Sequence, residues 1–170
     1  MDNSFSTIKN ITNIKQTYFD KNLNFQDPKF LNCGGLRTLG QFKKNLNDKP
    51  LISIITTSLN SSKTIEKTIL SILNQSYDNI EFIIIDGDSS DDTINIIKKY
   101  EKFIDFWISE KDHGIFDGMN KGIKISTGEI IGILNSDDVY YPEALSIVNK
   151  YFSSNPDIDF LFGSVHKHKL

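Results

Sequence analysis

The feature that most constrains this 170-residue chain is a regular alternation of short apolar runs and amphipathic segments after Pro50. The clearest run, Ile80–Asp86, is apolar over almost its whole length, as strands covered on both faces of a sheet are. Strands alternating with helices at this spacing favour right-handed βαβ units and a mostly parallel α/β sheet. The predicted strands are Leu51–Thr57, Ile80–Asp86, Phe103–Ser109, Glu129–Leu134 and Asp159–Val165, and the predicted helices are Lys63–Asn74, Asp91–Tyr100, Ile115–Lys124 and Pro142–Phe152.

The first fifty residues lack this regularity. Gly34-Gly35 is typical of a turn, and Asp48-Lys49-Pro50 marks a boundary, since proline ends the element before it. We therefore predict a partly irregular leader over residues 1–50 and one domain over residues 51–170. One short helix face is indicated within the leader, by Ile8, Ile11, Ile14 and Tyr18.

Charge and cysteine content exclude several classes of protein. Lys and Arg total 19 against 22 Asp and Glu, a net charge of −3, which disfavours binding to nucleic acid. The single cysteine, Cys33, excludes an intrachain disulfide and a Cys-x-x-Cys zinc site. Apolar runs such as Ile130–Leu134 are too short to span a bilayer, and no signal-peptide pattern opens the chain. We expect a cytoplasmic protein.

Acidic side chains follow two of the predicted strands directly. One strand leads into Asp86-Gly87-Asp88, and another leads into Asn135-Ser136-Asp137-Asp138. Ligands of parallel sheets bind outside the carboxyl ends of the strands, so both groups can face one cleft. Hard oxygen ligands gathered there suit Mg²⁺ or Mn²⁺, which can bridge the protein to a nucleotide diphosphate.

Several of these residues also have simpler interpretations. Asp91 and Asp92 fall in the first turn of a predicted helix, where negative charge complements the helix dipole. Asp137-Asp138 could form only a turn before Pro142. The sequence leaves His113 open between ligand contact and loop polarity, and solvated surface is the simpler interpretation for His166 and His168.

Other nucleotide-binding and catalytic patterns are missing from the sequence. There is no Gly-x-Gly-x-x-Gly after a strand and no Walker-type phosphate loop, which disfavours dinucleotide oxidoreductases and Walker-type NTPases. There is no Gly-x-Ser-x-Gly elbow, so a serine hydrolase is unsupported.

An ordered set of segments between residues 52 and 152 resembles the family 2 glycosyltransferases, in particular members that build bacterial surface polysaccharides. Taken singly these segments are weak signals, but their order over about a hundred residues is specific. Gly34–Thr38 resembles a leader that precedes this domain in some such enzymes. The segments are Ser53–Asn60, Ile69–Tyr77, Glu81–Thr93, Asp112–Ile123, Ser126–Glu129 and Leu134–Asp138, the last resembling the metal-binding Asp-x-Asp motif.

The resemblance implies a GT-A fold, a Rossmann-like, mostly parallel sheet with helices on both faces. It implies inverting transfer of a sugar from a nucleotide-diphosphate sugar to a hydroxyl of a saccharide or lipid-linked acceptor, assisted by Mn²⁺ or Mg²⁺. The work would take place on the cytoplasmic side, at the inner face of the membrane. Thr57 and Asp86 would hold the nucleoside, and the remaining nucleotide-binding residues would be Asp88, His113 and Asp137, with Asp138 the principal metal ligand and Asp137 beside it.

The sequence departs from the family pattern in three places. Gly87 replaces the second aspartate of the nucleoside loop, with Asp88 as the candidate to compensate for it, and Ser136 replaces the first carboxylate of the metal motif. Only 32 residues follow Asp138 in the sequence, and none forms a convincing base motif. We therefore expect a donor-binding half with a truncated acceptor half, an unassigned catalytic base and a tendency to self-associate. The alternatives are a catalytically inactive nucleotide-binding domain and a sugar nucleotidyltransferase.

Overall fold

Five strands form one sheet in this computed structural model, which describes residues 32–164. The order across the sheet is β1-β4-β3-β2-β5; β2, β3, β4 and β5 are parallel, and β1 runs antiparallel to β4. The helix face expected between residues 8 and 18, together with His166 and His168, lies outside the described residues. The strands are β1 (Cys33–Gly34), β2 (Ile52–Ser58), β3 (Ile80–Asp86), β4 (Phe106–Ser109) and β5 (Ile130–Ile133).

Helices cover both faces of the sheet, as expected. One face carries a core in which Ile65 and Ile69 of one helix, Ile97 of the next and Leu145 of the last pack on the strands. The remaining helix lies over β2 and β3 on the opposite face. None of the helices in the part of the chain that is described has the length and hydropathy needed to cross a membrane. The helices are α1 (Ile65–Leu73), α2 (Thr93–Lys99), α3 (Ile115–Ile125) and α4 (Ala144–Ser154).

The two central strands are buried along their whole length. Every residue of β2 and of β3 is buried, because each strand has neighbours on both sides and helices on both faces. The continuous apolar run Ile80–Asp86 predicts this, and β3 has those bounds.

Helix α3 meets the sheet through glycines, whereas Ile115 and Ile123, whose spacing in the sequence is that of an apolar helical stripe, remain partly exposed. A β-carbon on Gly122 would lie 2.3 Å from Cγ2 of Ile55, so only glycine permits this close approach. Ile115 is 48% exposed and Ile123 is 38% exposed. The glycines that weaken the helix in isolation are therefore its contact surface with β2.

The strand expected at Asp159–Val165 is not formed over residues 159–164, and Val165 lies outside the described part of the chain. Phe160 and Phe162 are 74% and 86% exposed, although the centroids of their rings lie only 5.7 Å apart. An apolar run forms a stable strand only when its backbone pairs and one face is buried. Neither condition is met here.

Residues 33–43 of the expected leader complete the other edge of the sheet. β1 pairs with β4, and the side chain of Arg37 is buried against the start of β3, where it pairs with Glu81. Arg37 also donates to the backbone oxygen of Ile125 at 2.8 Å, which ties this segment to the end of α3. The Gly34-Gly35 turn signal therefore marks where the chain leaves the sheet edge.

Candidate functional site

The carboxyl ends of the four parallel strands meet along one edge of the sheet. The carboxyl end of each strand, or the loop after it, carries at least one residue that the sequence predicts for the site, or a residue next to one. In the order β4, β3, β2, β5, these are Asp112 and His113, then Asp86 and Asp88, then Thr57, and finally Asp137 and Asp138. The predicted residues thus share one edge, although they do not share one face of the sheet.

Asp86 is fully buried, and both of its carboxylate oxygens accept hydrogen bonds from the chain itself. Oδ1 accepts from Ser58 Oγ at 2.8 Å and Ser89 Oγ at 2.6 Å. Oδ2 accepts from Ser89 N at 2.8 Å and Ser109 Oγ at 2.7 Å. The register explains the arrangement, because Ser58, Asp86 and Ser109 stand opposite one another on three adjacent strands. Asp86 joins the ends of β2, β3 and β4.

Thr57 lies on the opposite face of the sheet from Asp86. It pairs with Ile85 rather than with Asp86, and successive side chains of a strand point to opposite faces. The structure therefore does not bring Thr57 and Asp86 to the two sides of one base. Thr57 is 7% exposed, and its buried Oγ1 has no hydrogen-bond partner within residues 32–164. A buried hydroxyl without a partner is costly, which marks this place as unusual.

The loop after β3 is held to the loop after β2. Ser89 Oγ donates a hydrogen bond to Asp86 and accepts one from Asn60 N at 2.7 Å. Asn60 Oδ1 in turn accepts a hydrogen bond from Ser90 N at 2.9 Å. Asp88, between them, is exposed, and its φ of 67° places it in the left-handed region. This loop geometry leaves the Asp88 side chain accessible at the rim of the edge.

Asp91 does not lie in the first turn of α2, as the simpler interpretation had it, but just before the N-cap residue Asp92. Its carboxylate accepts from Thr93 N at 3.0 Å and from Ser62 N at 3.1 Å. Hydrogen bonds from the Thr93 side chain and from these backbone groups lower the pKa of Asp91 despite an opposing effect of desolvation. Among the described residues, neither α1, whose N-cap is Thr64, nor α2 has a side-chain cap hydrogen bond.

Asp137 and Asp138 are exposed at the end of β5, on a loop whose backbone is fixed. The backbone oxygen of Asp138 accepts from Thr68 Oγ1 at 2.8 Å, and Ser136 Oγ bonds Ser61 Oγ at 2.8 Å. Oδ1 of Asn135, in the same loop, is buried and has no partner. Nowhere in residues 32–164 do three His, Cys, Asp or Glu side chains come together as a metal site. The oxygen donors of this loop nevertheless suit Mg²⁺ or Mn²⁺, which keep several positions for water and phosphate.

His113 and Asp117 form a pair at the start of α3. The His113 side chain is 96% exposed, with Nδ1 lying 3.6 Å from Asp117 Oδ2. The backbone N–H of His113 donates to the same oxygen at 3.2 Å. That hydrogen bond, with further help from Lys121, lowers the pKa of Asp117 against a contrary effect of desolvation. Asp117 therefore stays ionised at neutral pH and is a weak base.

Asp112 is the neighbour that the sequence did not single out as a site residue. Its Oδ1 accepts from Gly114 N at 2.9 Å, and Gly114 has a φ of 109°, which glycine alone adopts readily. A β-carbon on Gly87 would lie 2.9 Å from Asp112 Oδ2. Two features of the sequence could have pointed to Asp112: it begins one of the segments that resemble the family, and residue 87, whose side chain it would meet, is glycine.

Comparison with known proteins identifies the family. The model of glycosyl transferase family 2 matches residues 53–168. An uncharacterized glycosyltransferase of Methanocaldococcus jannaschii is 36% identical over 70% of this chain and 43% of its own length. The Escherichia coli UDP-Glc:alpha-D-GlcNAc-diphosphoundecaprenol beta-1,3-glucosyltransferase WfgD is 32% identical over 69% of this chain and 46% of its own length.

A solved structure shows the same fold. The mannosyltransferase of Pyrobaculum calidifontis, in complex with GDP-Man and Mn²⁺, superposes with a TM-score of 0.55 at 21% identity. The match covers 68% of this chain and 36% of that one. This chain spans less than half the length of these relatives. The fold expected from the sequence, GT-A, is confirmed, and the chain belongs to glycosyl transferase family 2.

Proposed function

We propose that this chain binds a nucleotide-diphosphate sugar with the help of Mn²⁺ or Mg²⁺ and forms the donor half of an inverting glycosyltransferase. The proposal rests on one observation in a chain of family 2. The same edge of the sheet carries Thr57, Asp88, Asp112 and the Asp137–Asp138 loop. The expected domain boundary, with a leader over residues 1–50 and the donor domain over 51–170, is part of this proposal.

Asp138 and Asp137 would hold the cation. A bound divalent cation neutralises the charge that develops on a departing nucleoside diphosphate, which makes it a better leaving group. The chain's own contribution is to fix the loop, because the bonds from Thr68 and between Ser136 and Ser61 hold its backbone while both carboxylates stay exposed. A preorganised loop does not have to be ordered when the donor binds.

Asp88 and His113 would contribute to nucleotide binding from the rim of the edge, since both are exposed on loops that follow neighbouring strands. The acceptor would be a hydroxyl of a saccharide or lipid-linked sugar in cell-surface polysaccharide or lipopolysaccharide assembly. The name of the related WfgD, which acts on a diphosphoundecaprenol sugar, supports this class. We propose that the protein works on these acceptors in the cytoplasm, peripheral to the inner face of the membrane.

The catalytic base is not assigned. Inverting transfer needs a general base at the acceptor hydroxyl. Asp117 and His113 are the first two residues to test, although their mutual bonding keeps the pKa of Asp117 low. An inactive nucleotide-binding domain is therefore retained as a second candidate, favoured by the engagement of Asp117 with His113 and Lys121.

A thermal-shift screen tests the proposed function. The 170-residue chain is heated with each of a set of nucleotide sugars, in Mn²⁺ and in EDTA. A ligand at a hundredfold excess over its dissociation constant should raise the free energy of unfolding by about 2.7 kcal/mol. We expect stabilisation by at least one nucleotide sugar in Mn²⁺ and a smaller effect in EDTA. A chain that no nucleotide sugar stabilises under either condition would not be a donor-binding domain.

A further inference from the structure

Asp112 occupies the space that a side chain at residue 87 would need. A β-carbon on Gly87 would lie 2.9 Å from Oδ2 and 3.2 Å from Cγ of Asp112. Gly87 is not among the residues with positive φ, so its backbone conformation does not require glycine. The close approach of the Asp112 carboxylate is what the glycine permits.

The same carboxylate oxygen lies near a second glycine, Gly118, which also packs against the methyl group of Thr57. A β-carbon on Gly118 would lie 3.5 Å from Asp112 Oδ2 and 3.0 Å from Thr57 Cγ2. Among residues 32–164, Oδ1 of Asp112 accepts from Gly114 N, and no hydrogen bond reaches Oδ2. Thr57 Oγ1 is buried and has no partner among the described residues. Two glycines therefore make room beside a half-buried carboxylate whose Oδ2 accepts no hydrogen bond from residues 32–164.

Strand order places this group at one end of the site. Asp112 follows β4, Gly87 follows β3, and Asp137–Asp138 follow β5, with β2 between β3 and β5. β4 and β5 are three strand spacings apart, about 14 Å. In a nucleoside diphosphate, the base and the diphosphate are the two ends of the molecule. If the diphosphate meets the Asp137–Asp138 loop, as the proposed function requires, the base points toward β3 and β4.

We propose that Asp112 is the residue that reads the base of the donor nucleotide, by accepting a hydrogen bond from a ring N–H. A carboxylate only accepts hydrogen bonds. It therefore favours uracil, thymine or guanine, whose ring nitrogen at this edge carries a hydrogen. It disfavours cytosine and adenine, whose corresponding ring nitrogen is an acceptor that repels the carboxylate and which offer only the neighbouring amino group as a donor. Asp86, which lies on the other face with both oxygens occupied, does not compete for this role.

Titration calorimetry with UDP, dTDP, GDP, CDP and ADP in Mn²⁺ tests the assignment. Wild type should bind at least one of the first three about tenfold more tightly than CDP and ADP, as expected for a hydrogen bond to a charged group. Asp112→Asn is nearly isosteric, but its amide nitrogen can donate to cytosine. In this variant the preference should fall to near unity, while the dependence on Mn²⁺ remains. The matched control, Asp157→Asn, changes an exposed carboxylate away from the edge and should behave as wild type.

The outcomes separate this proposal from the proposed function. If Asp112→Asn keeps the wild-type base preference, or weakens all five nucleotides equally, Asp112 does not read the base, although the donor site stands. If wild type binds none of the five, the proposed function fails and this inference fails with it.

Moving the carboxylate provides an independent test. Gly87→Asp alone should lose base preference, because its β-carbon meets Asp112 Oδ2 at 2.9 Å and adds a second negative charge. Gly87→Asp combined with Asp112→Gly removes the obstruction and returns one carboxylate to the same space, so part of the preference should recover. Wild-type binding by Gly87→Asp, or no recovery in a folded double variant, would overturn the assignment.

Discussion

At the scale of the residue, burial separates the carboxylates that hold the fold from those that can meet a ligand. Asp86 is fully buried and takes four hydrogen bonds from the chain, whereas Asp137 and Asp138 are exposed. A buried carboxylate is tolerated only when it is well hydrogen-bonded. Because Asp86 ends an apolar strand, the sequence implies that its carboxylate needs hydrogen-bond donors. It does not show that these donors are serines of two other strands and of the loop after Asp86.

Replacing Asp86 should therefore affect folding before it affects binding. Asp86→Asn puts an amide N–H₂ opposite hydroxyl donors, and we expect the free energy of unfolding to fall by about 2–4 kcal/mol. Ser58→Ala and Ser109→Ala, each of which removes one donor, should cost about 1–2 kcal/mol apiece. Urea denaturation measures all three. Nucleotide binding without metal, measured on the folded fraction, shows whether Asp86 has a ligand role as well. A variant as stable as wild type would contradict the structural role.

At the scale of the element, the sequence predicts those segments whose burial pattern is uniform. β3 has its predicted bounds, Ile80–Asp86, because an apolar run covered on both faces leaves no ambiguity. Helix α3 is predicted in position but not in orientation, since an apolar stripe normally marks the buried face. Here Gly118 and Gly122 face the sheet. The sequence around α3 does not show that the helix backbone approaches Ile55 this closely.

Gly122→Ala tests that orientation. Alanine favours an isolated helix by about 1 kcal/mol over glycine. In this structure its β-carbon would lie 2.3 Å from Ile55 Cγ2, so α3 must shift. We expect a net loss of about 2 kcal/mol from overpacking. Gly163→Ala, where no atom lies within 4 Å, is the matched control and should be close to neutral. A stabilised Gly122→Ala protein would mean that α3 presents a different face to β2.

At the scale of the whole molecule, an exposed apolar surface lies along α3 and β5. Its residues share the face of the sheet on which α3 packs, and β5 pairs only with β2 among the described residues. Phe116 is 76% exposed, and Ile133 is 42% exposed. Long-range pairing, which is not visible in the local sequence pattern, leaves β5 at the edge of the described sheet. The α3–β5 surface consists of Ile115, Phe116, Ile123, Ile131 and Ile133.

We expect this surface to make the chain self-associate, because clustered exposed apolar groups and an open strand edge favour pairing with another copy. Sedimentation velocity from low to high micromolar concentration should show a rising average mass. Ile131→Lys combined with Ile133→Lys should lower it. Leu46→Lys, which also replaces an exposed apolar residue but lies outside the surface, should not. A wild-type chain that stays monomeric throughout would refute this expectation.

The central claim is that the loop after β5 binds a divalent cation together with the donor diphosphate. The most direct measurement is titration calorimetry of the nucleotide sugar that stabilises the chain best, with Mn²⁺ and with EDTA, on wild type, Asp138→Asn and Asp157→Asn. The account predicts that Asp138→Asn keeps the wild-type melting temperature and loses the Mn²⁺-dependent part of binding, while Asp157→Asn keeps it. Unchanged Mn²⁺-dependent binding by Asp138→Asn would contradict it.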